Sequence, residues 1–418
     1  MRIARALLLS SLAVLGCGTA QATPRAAPAA ERAEDADDGT IPVVWRVERA
    51  GALALRLDGP LVLADDGAEV VLLDAASGAV RARATPPPRA NGFDDQPRAS
   101  LLAGRLVAEA EPGALVVCDA AGAEAWRVRC LGPSFDACRV RAVATAGALV
   151  VATGRTLALV AHDITSGAER WRHEPDSGLS WSHGALAADG ARVYASSYGT
   201  HALVALDAQT GALVWQAECD AAYGPGMGRG PGDCMGLSSD GRRVAAIAVS
   251  GSEVLVLDAA TGASEQHLFG RDLGFATLVA VLAGDALVLG GLASAEAGAV
   301  AVVDLATGAV RWTIRTPEPV RSVVARGDVV WARGIYGTLW RLDARDGAVS
   351  ARWGLRGGGQ VHADADRLVL DDGAHAIMID PAGRRARTRR SASPASPRSR
   401  PRTARARPGS ACASATRS

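Results

Sequence analysis

Residues 203 to 218, LVALDAQTGALVWQAE, set out a pattern that recurs along most of the chain. Apolar residues alternate up to an aspartate, a glycine follows four places on, and a tryptophan stands eight places after the aspartate. Alternation with a period of two describes a strand with one buried face. The aspartate carboxylate can accept from backbone N–H groups two or three residues ahead in an Asx-type turn, and the glycine supplies the positive φ that opens the returning strand. The unit is therefore a hairpin whose second strand carries an indole.

Relatives of this hairpin stand at Asp74, Asp119, Asp163, Asp207, Asp258, Asp304, Asp343 and Asp380, separated by 45, 44, 44, 51, 46, 39 and 37 positions. Trp171, Trp215 and Trp312 fall eight residues after their aspartates, Trp126 seven after Asp119, and Trp353 ten after Asp343, while the units at Asp74 and Asp258 have no tryptophan there. One or two further strand-like runs precede each hairpin, so each period holds four short strands. A sheet that small cannot cover its own apolar faces and must stack on copies of itself. Radial stacking of four-stranded antiparallel blades gives an all-β propeller.

The pattern ALDAxTGxxxW resembles the repeat of the pyrroloquinoline-quinone-like (PQQ-like) β-propellers, closest in style to the non-enzymatic outer-membrane-assembly lipoproteins. The resemblance runs over residues 42 to 383. It implies eight blades, with seven as the alternative count, and gives Trp126, Trp171, Trp215, Trp312 and Trp353 the role of docking each blade onto the next. The family also includes quinoprotein alcohol dehydrogenases. Those enzymes hold their cofactor with an adjacent Cys-Cys disulfide, a stacking tryptophan, and Glu, Asn and Asp around calcium. This sequence has no adjacent cysteines and few asparagines, so no cofactor is expected.

The segment IPVVWRVE, residues 41 to 48, reads as an outermost strand with Trp45 in the docking place but no hairpin before it. The eighth unit lacks a good final strand. The N-terminal strand is therefore expected to complete the eighth blade and close the ring, which leaves no long free sheet edge.

Charge is divided unevenly. Residues 384–418 hold eleven arginines and no acid, so the formal charge of +1 less those eleven leaves −10 on residues 1–383. An acidic body argues against nucleic acid as partner. The tail has almost no large apolar side chain and is expected to be disordered. Residues 1–22 read as an export signal, with Cys17 in a lipobox-like VLGC competing with cleavage after AQA, and residues 23–40 as a flexible linker to a propeller over 41–383.

Export gives the cysteines an oxidising compartment. Cys130–Cys138 and Cys219–Cys234 read as local disulfides, each worth about 2 to 3 kcal/mol, and Cys118 is left as a buried thiol. Neither pair has zinc-ligand spacing, so no metal site is expected.

No nucleophile elbow or Ser-His-Asp order is present, and no catalytic residue is assigned. Asp176, Trp181, His183, Arg321 and His362 fall near the starts of innermost strands and form the candidate binding set at the channel mouth. The remaining histidines read as surface or turn residues. The functional expectation is a monomeric, non-catalytic, protein-binding or scaffold module in the periplasm, on the outer membrane through a lipid anchor at Cys17, or secreted, with an envelope protein as partner. The alternatives are a quinoprotein oxidoreductase and a propeller-face hydrolase or lyase.

Overall fold

In the computed structural model the repeat becomes eight four-stranded antiparallel sheets among the described residues. Those residues are 43–48, 54–65, 69–84, 99–111, 114–120, 122–129, 138–145, 148–153, 158–174, 185–196, 202–222, 229–231, 234–248, 251–355, 359–363, 367–371 and 375–379. Every described residue lies in one compact unit within 33–418. The expected leader, the linker up to residue 40, Cys17 and the arginine-rich tail lie outside the described residues.

Blade 1 runs from its innermost strand Ala54–Asp58 through Leu61–Asp65 and Val70–Asp74 to the outermost strand Val80–Ala84. Blades 2 to 7 repeat this order over 99–129, 138–173, 186–218, 234–269, 276–316 and 320–354. Blade 8 takes Val361–Ala363, Leu368–Asp371 and His375–Ile379 from the end of the ring and Val43–Glu48 from its beginning, with Trp45 opposite Met378 and Arg46 opposite Ile377. Each innermost strand touches the innermost strands on both sides, including blade 8 against blade 1. The ring is closed, and it is closed by the N-terminal strand.

The core lies between blades. Leu63 and Leu72 of blade 1 pack on Leu101 and Val116 of blade 2, and Tyr194 and Trp215 of blade 4 on Val244 and Leu257 of blade 5. This is why the single unit is not stable alone and the repeat must continue.

One transverse row organises every joint. It passes through the third-strand residue two places before the turn aspartate and ends, on the outermost strand, at Ala82, Trp126, Trp171, Trp215, Gln266, Trp312, Ala351 and, in blade 8, Trp45. In all eight blades the register slips by one residue beside that position. A bulge adds local twist and re-aims the neighbouring side chain. The indoles consequently reach the next blade's turn: Nε1 donates from Trp45 to Ala75 O at 2.9 Å, from Trp126 to Ile164 O at 3.0 Å, from Trp171 to Ala208 O at 3.0 Å, from Trp215 to Ala259 O at 2.9 Å and from Trp312 to Ala344 O at 3.0 Å. In blade 5, Gln266 Nε2 makes the same bond to Leu305 O at 3.3 Å. Trp353 does not hold the row position in blade 7; it stacks on Trp331 at 5.8 Å, and Ala351 stands in the row.

The turns carry the chemistry expected of them. Asp74 Oδ1 accepts from Ser77 N at 2.9 Å, Asp163 from Ser166 N at 2.8 Å, Asp207 from Thr210 N at 2.8 Å, Asp258 from Thr261 N at 2.8 Å and Asp304 from Thr307 N at 3.0 Å. Asp119 and Asp343 accept from Ala123 N and Arg345 N, and Asp380 lies outside the described residues. The bulged residue is an arginine in three blades, and it folds back on its aspartate: Arg81 on Asp74, Arg170 on Asp163 and Arg311 on Asp304. Those guanidinium contacts, with the turn hydroxyls and N–H groups, hold all three carboxyls below the usual range, Asp304 at about 2.

Cys219 and Cys234 form the expected disulfide, with Cα atoms 5.8 Å apart. It bridges the two ends of a short ribbon, Asp220–Ala222 paired with Arg229–Pro231, between blades 4 and 5. The proposed Cys130–Cys138 pair lies outside the described side chains. Cys118 is not the free thiol expected: it is buried and disulfide-bonded, since a buried thiol stays free only where no second cysteine can reach it. His162, expected at the surface or in a turn, sits against its turn with Nδ1 3.1 Å from Gly167 O but is not exposed. It is buried against the docking indole of Trp126, ring centres 5.8 Å apart, and burial lowers its pKa.

Candidate functional site

The inner ends of the same transverse rows line the centre of the ring. Arg56 and His362 are the only ionisable members of that level among the described residues; the other six positions are Ser100, Ser238, Ala187, Val143, Val281 and Val324. Arg56 belongs to blade 1 and His362 to blade 8, so the pair straddles the seam where the ring closes. Alternation along Ala54–Asp58 explains the placement. Leu55 and Leu57 pack into the interface with blade 8, and Arg56 between them takes the other face.

The Arg56 side chain nevertheless turns back across the seam. Its Nη1 donates to Gln360 Oε1 at 2.7 Å, lies 2.6 Å from His362 Nε2, and approaches Leu55 O at 3.3 Å. A guanidinium has no lone pair to accept with, so toward Arg56 the His362 Nε2 is the acceptor and the imidazole is neutral with its proton on Nδ1; Nε2 also lies 3.1 Å from Gln360 Oε1, the two atoms converging on Nη1 as acceptors. Burial, and then the charge of Arg56, push the His362 pKa down to about 3. Burial also lowers that of Arg56. Among the described residues no carboxylate pairs with this arginine.

The adjoining seam is stitched by backbone carbonyls. Arg326 Nη2 of blade 7 donates to Ala363 O at 3.0 Å, Arg367 Nη2 of blade 8 donates to Gly59 O at 2.6 Å, and Ser322 Oγ bonds both the N–H and the C=O of Val361. Beneath them Arg333, fully buried, donates to the Asp371 carbonyl. Arg321 is exposed at the bulge between Val320 and Ser322 on the innermost strand of blade 7, and no hydrogen bond joins it to His362. Asp176, Trp181 and His183 lie outside the described residues. Of the five candidate channel residues, then, the structure seats His362 in a polar cluster and leaves Arg321 apart. Sequence reading missed Arg56 and Gln360. Gln360 is legible two places before His362, whereas nothing local marks Arg56.

The residues at this level do not fit a calcium-bound quinone. Among the described residues the row supplies one cation, one neutral imidazole, hydroxyls and apolar groups, with no carboxylate to ligate calcium, and the disulfide that is described joins cysteines 15 positions apart. The docking indoles are engaged at the blade joints. No group of three or more His, Cys, Asp or Glu able to hold a metal ion occurs among the described residues.

The family described as "Outer membrane protein assembly factor BamB", a PQQ-like repeat family, matches residues 32–266 and 250–396. The chain belongs to this family. Among solved structures, this BamB-family propeller is similar to BamB from Moraxella catarrhalis, with 17% identity and a TM-score of 0.59, covering 81% of this chain and 100% of that one. It is also similar to the computationally designed Ika8 protein, with 14% identity and a TM-score of 0.61 over 80% and 97% of the two chains. A third likeness is to the quinohemoprotein alcohol dehydrogenase ADHIIG from Pseudomonas putida HK5, with 11% identity and a TM-score of 0.56 over 86% and 78%. At these identities the likeness is one of fold. No curated protein matches the sequence. No helix among the described residues is long and apolar enough to cross a membrane.

Proposed function

We propose that this BamB-family propeller is a non-catalytic, protein-binding scaffold of the bacterial cell envelope, exported to the periplasm and held at the outer membrane through Cys17. The observation that carries this reading is the family match across almost the whole ring. Its support is the structure of the joints. Hydrogen bonds from the row residues tie six of the blades to the next, which makes the ring the kind of frame on which connecting loops serve as a binding surface. Among the described residues, the donors at the channel level do not suit calcium, which favours this reading over quinone chemistry.

Fractionation of cells producing the full chain tests the reading. Wild type is expected in the outer-membrane fraction and Cys17→Ala in the soluble periplasm, with site-specific photocrosslinks from the loops to an envelope protein in both. A cytoplasmic chain without such crosslinks contradicts it. Dye-linked alcohol oxidation on addition of pyrroloquinoline quinone and calcium instead favours the quinoprotein alternative, which the likeness to ADHIIG motivates.

A further inference from the structure

We propose that the seam between blades 8 and 1 is a carboxylate-binding site with Arg56 as its principal ligand. The inference is independent of whether the propeller binds proteins. All three contacts of Arg56 are made by one nitrogen, Nη1, whose two N–H bonds are taken by Gln360 and His362. The other edge of the guanidinium, Nε and Nη2, presents two parallel N–H bonds at the spacing of carboxylate oxygens, and among the described residues it meets no acceptor. Three arginines at the outer turns, Arg81, Arg170 and Arg311, have aspartate partners, whereas Arg326 and Arg367 beside the seam each donate Nη2 to a backbone carbonyl. Arg56 is further from solvent than the first three and has no acid partner among the described residues.

A desolvated cation without a counter-charge destabilises the fold, and an anion that reaches it removes that cost. Gln360 and His362 fix the fork by holding Nη1, so little side-chain freedom is lost when the free edge is engaged. The neutrality of His362 limits the site to one positive charge. With Val281, Val324, Ala187, Ser100 and Ser238 at the same level, that single charge suits the carboxylate of a small, partly apolar molecule or of an acidic side chain, rather than a phosphate.

The test titrates the full chain at pH 7 and constant ionic strength with succinate, with a capped aspartate-containing tripeptide and with inorganic phosphate, read by calorimetry. Arg56→Gln and Arg56→Lys accompany wild type. Saturable binding of succinate or of the tripeptide, weakened tenfold or more by Arg56→Gln and partly restored in Arg56→Lys, is expected; which of the two binds identifies the source of the carboxylate. Phenylglyoxal labelling of wild type, mapped by mass spectrometry, should show Arg56 protected by the bound acid, and this readout survives if a variant misfolds. The proposal is overturned by equal binding to Arg56→Gln, by phosphate binding more tightly than both carboxylates, by no binding at all, or by labelling of Arg56 that the carboxylates leave unchanged.

Discussion

Trp45 and Ala75, thirty residues apart in sequence, join the last blade of the ring to the first: the indole Nε1 donates to the Ala75 carbonyl at 2.9 Å, and the ring covers Gly78. The same contact is made by Trp215 on Ala259 inside the repeat. Trp45 differs only in that its strand arrives from the opposite end of the chain. Trp45→Ala and Trp215→Ala are each expected to lower stability by about 3 to 5 kcal/mol in urea unfolding, the usual cost of emptying a large buried aromatic site. A much smaller loss for Trp45→Ala alone means that the seam is not a joint like the others.

The turn glycines are constrained twice. Gly211 has φ +70°, and a Cβ there meets the Trp171 ring at 2.5 Å, whereas Gly59, also left-handed at φ +51°, has open space around it. Gly59→Ala should cost about 1 kcal/mol from backbone strain alone. Gly211→Ala should cost about 3 kcal/mol or more, because the indole of the preceding blade must also move. Equal losses in paired denaturation curves contradict the stacking geometry.

The Cys219–Cys234 bridge closes a loop of sequence separation 15. Replacing both cysteines by serine is expected to remove about 3 kcal/mol. The ribbon over 220–231 should then become the first site cut in limited proteolysis. An unchanged digestion pattern places the ribbon's order elsewhere.

Acid should destabilise the ring in two stages. His362, with its pKa pushed down to about 3 by burial and by Arg56, binds its proton more readily when unfolded. It therefore contributes stability that is complete above the unfolded value of about 6.5 and is lost as pH falls toward 3. His162, lowered by burial, acts in the same direction. The turn carboxyls, Asp304 at about 2 among them, are lowered groups whose contribution is lost only below about 3.8. Between pH 6.5 and 4.5 the melting temperature should therefore fall, and His362→Gln should flatten that slope while leaving the steeper loss below pH 4. A wild-type melting temperature that is flat down to pH 4.5 contradicts a neutral His362.

The repeat was readable because its signals are short-range. Asp207, Gly211 and Trp215 lie within one hairpin, and the physics of the turn demands each of them locally. The occupants that replace tryptophan in the row, Ala82, Gln266 and Ala351, are visible only by counting from the aspartate, since nothing about alanine or glutamine announces an interface. Trp353 misleads for the same reason: it is an indole near the expected place, but the bulge puts Ala351 in the row. The candidate site was readable only in part. His362 stands out by its type at the start of an innermost strand, yet its partner Arg56 is 306 positions away, and their meeting depends on ring closure. The reason for glycine at 78 and 211 was half legible, because positive φ follows from the turn while the covering indole belongs to another blade.

Ring closure is tested most directly by hydrogen exchange of the native full-length chain, followed by mass spectrometry on the peptide spanning residues 43–48. If that segment is the fourth strand of blade 8, its amides should be protected as long as those of 375–379, and Ile377→Pro should release both segments together. Exchange of 43–48 within seconds while 375–379 stays protected would show that the first strand is not the one that shuts the circle.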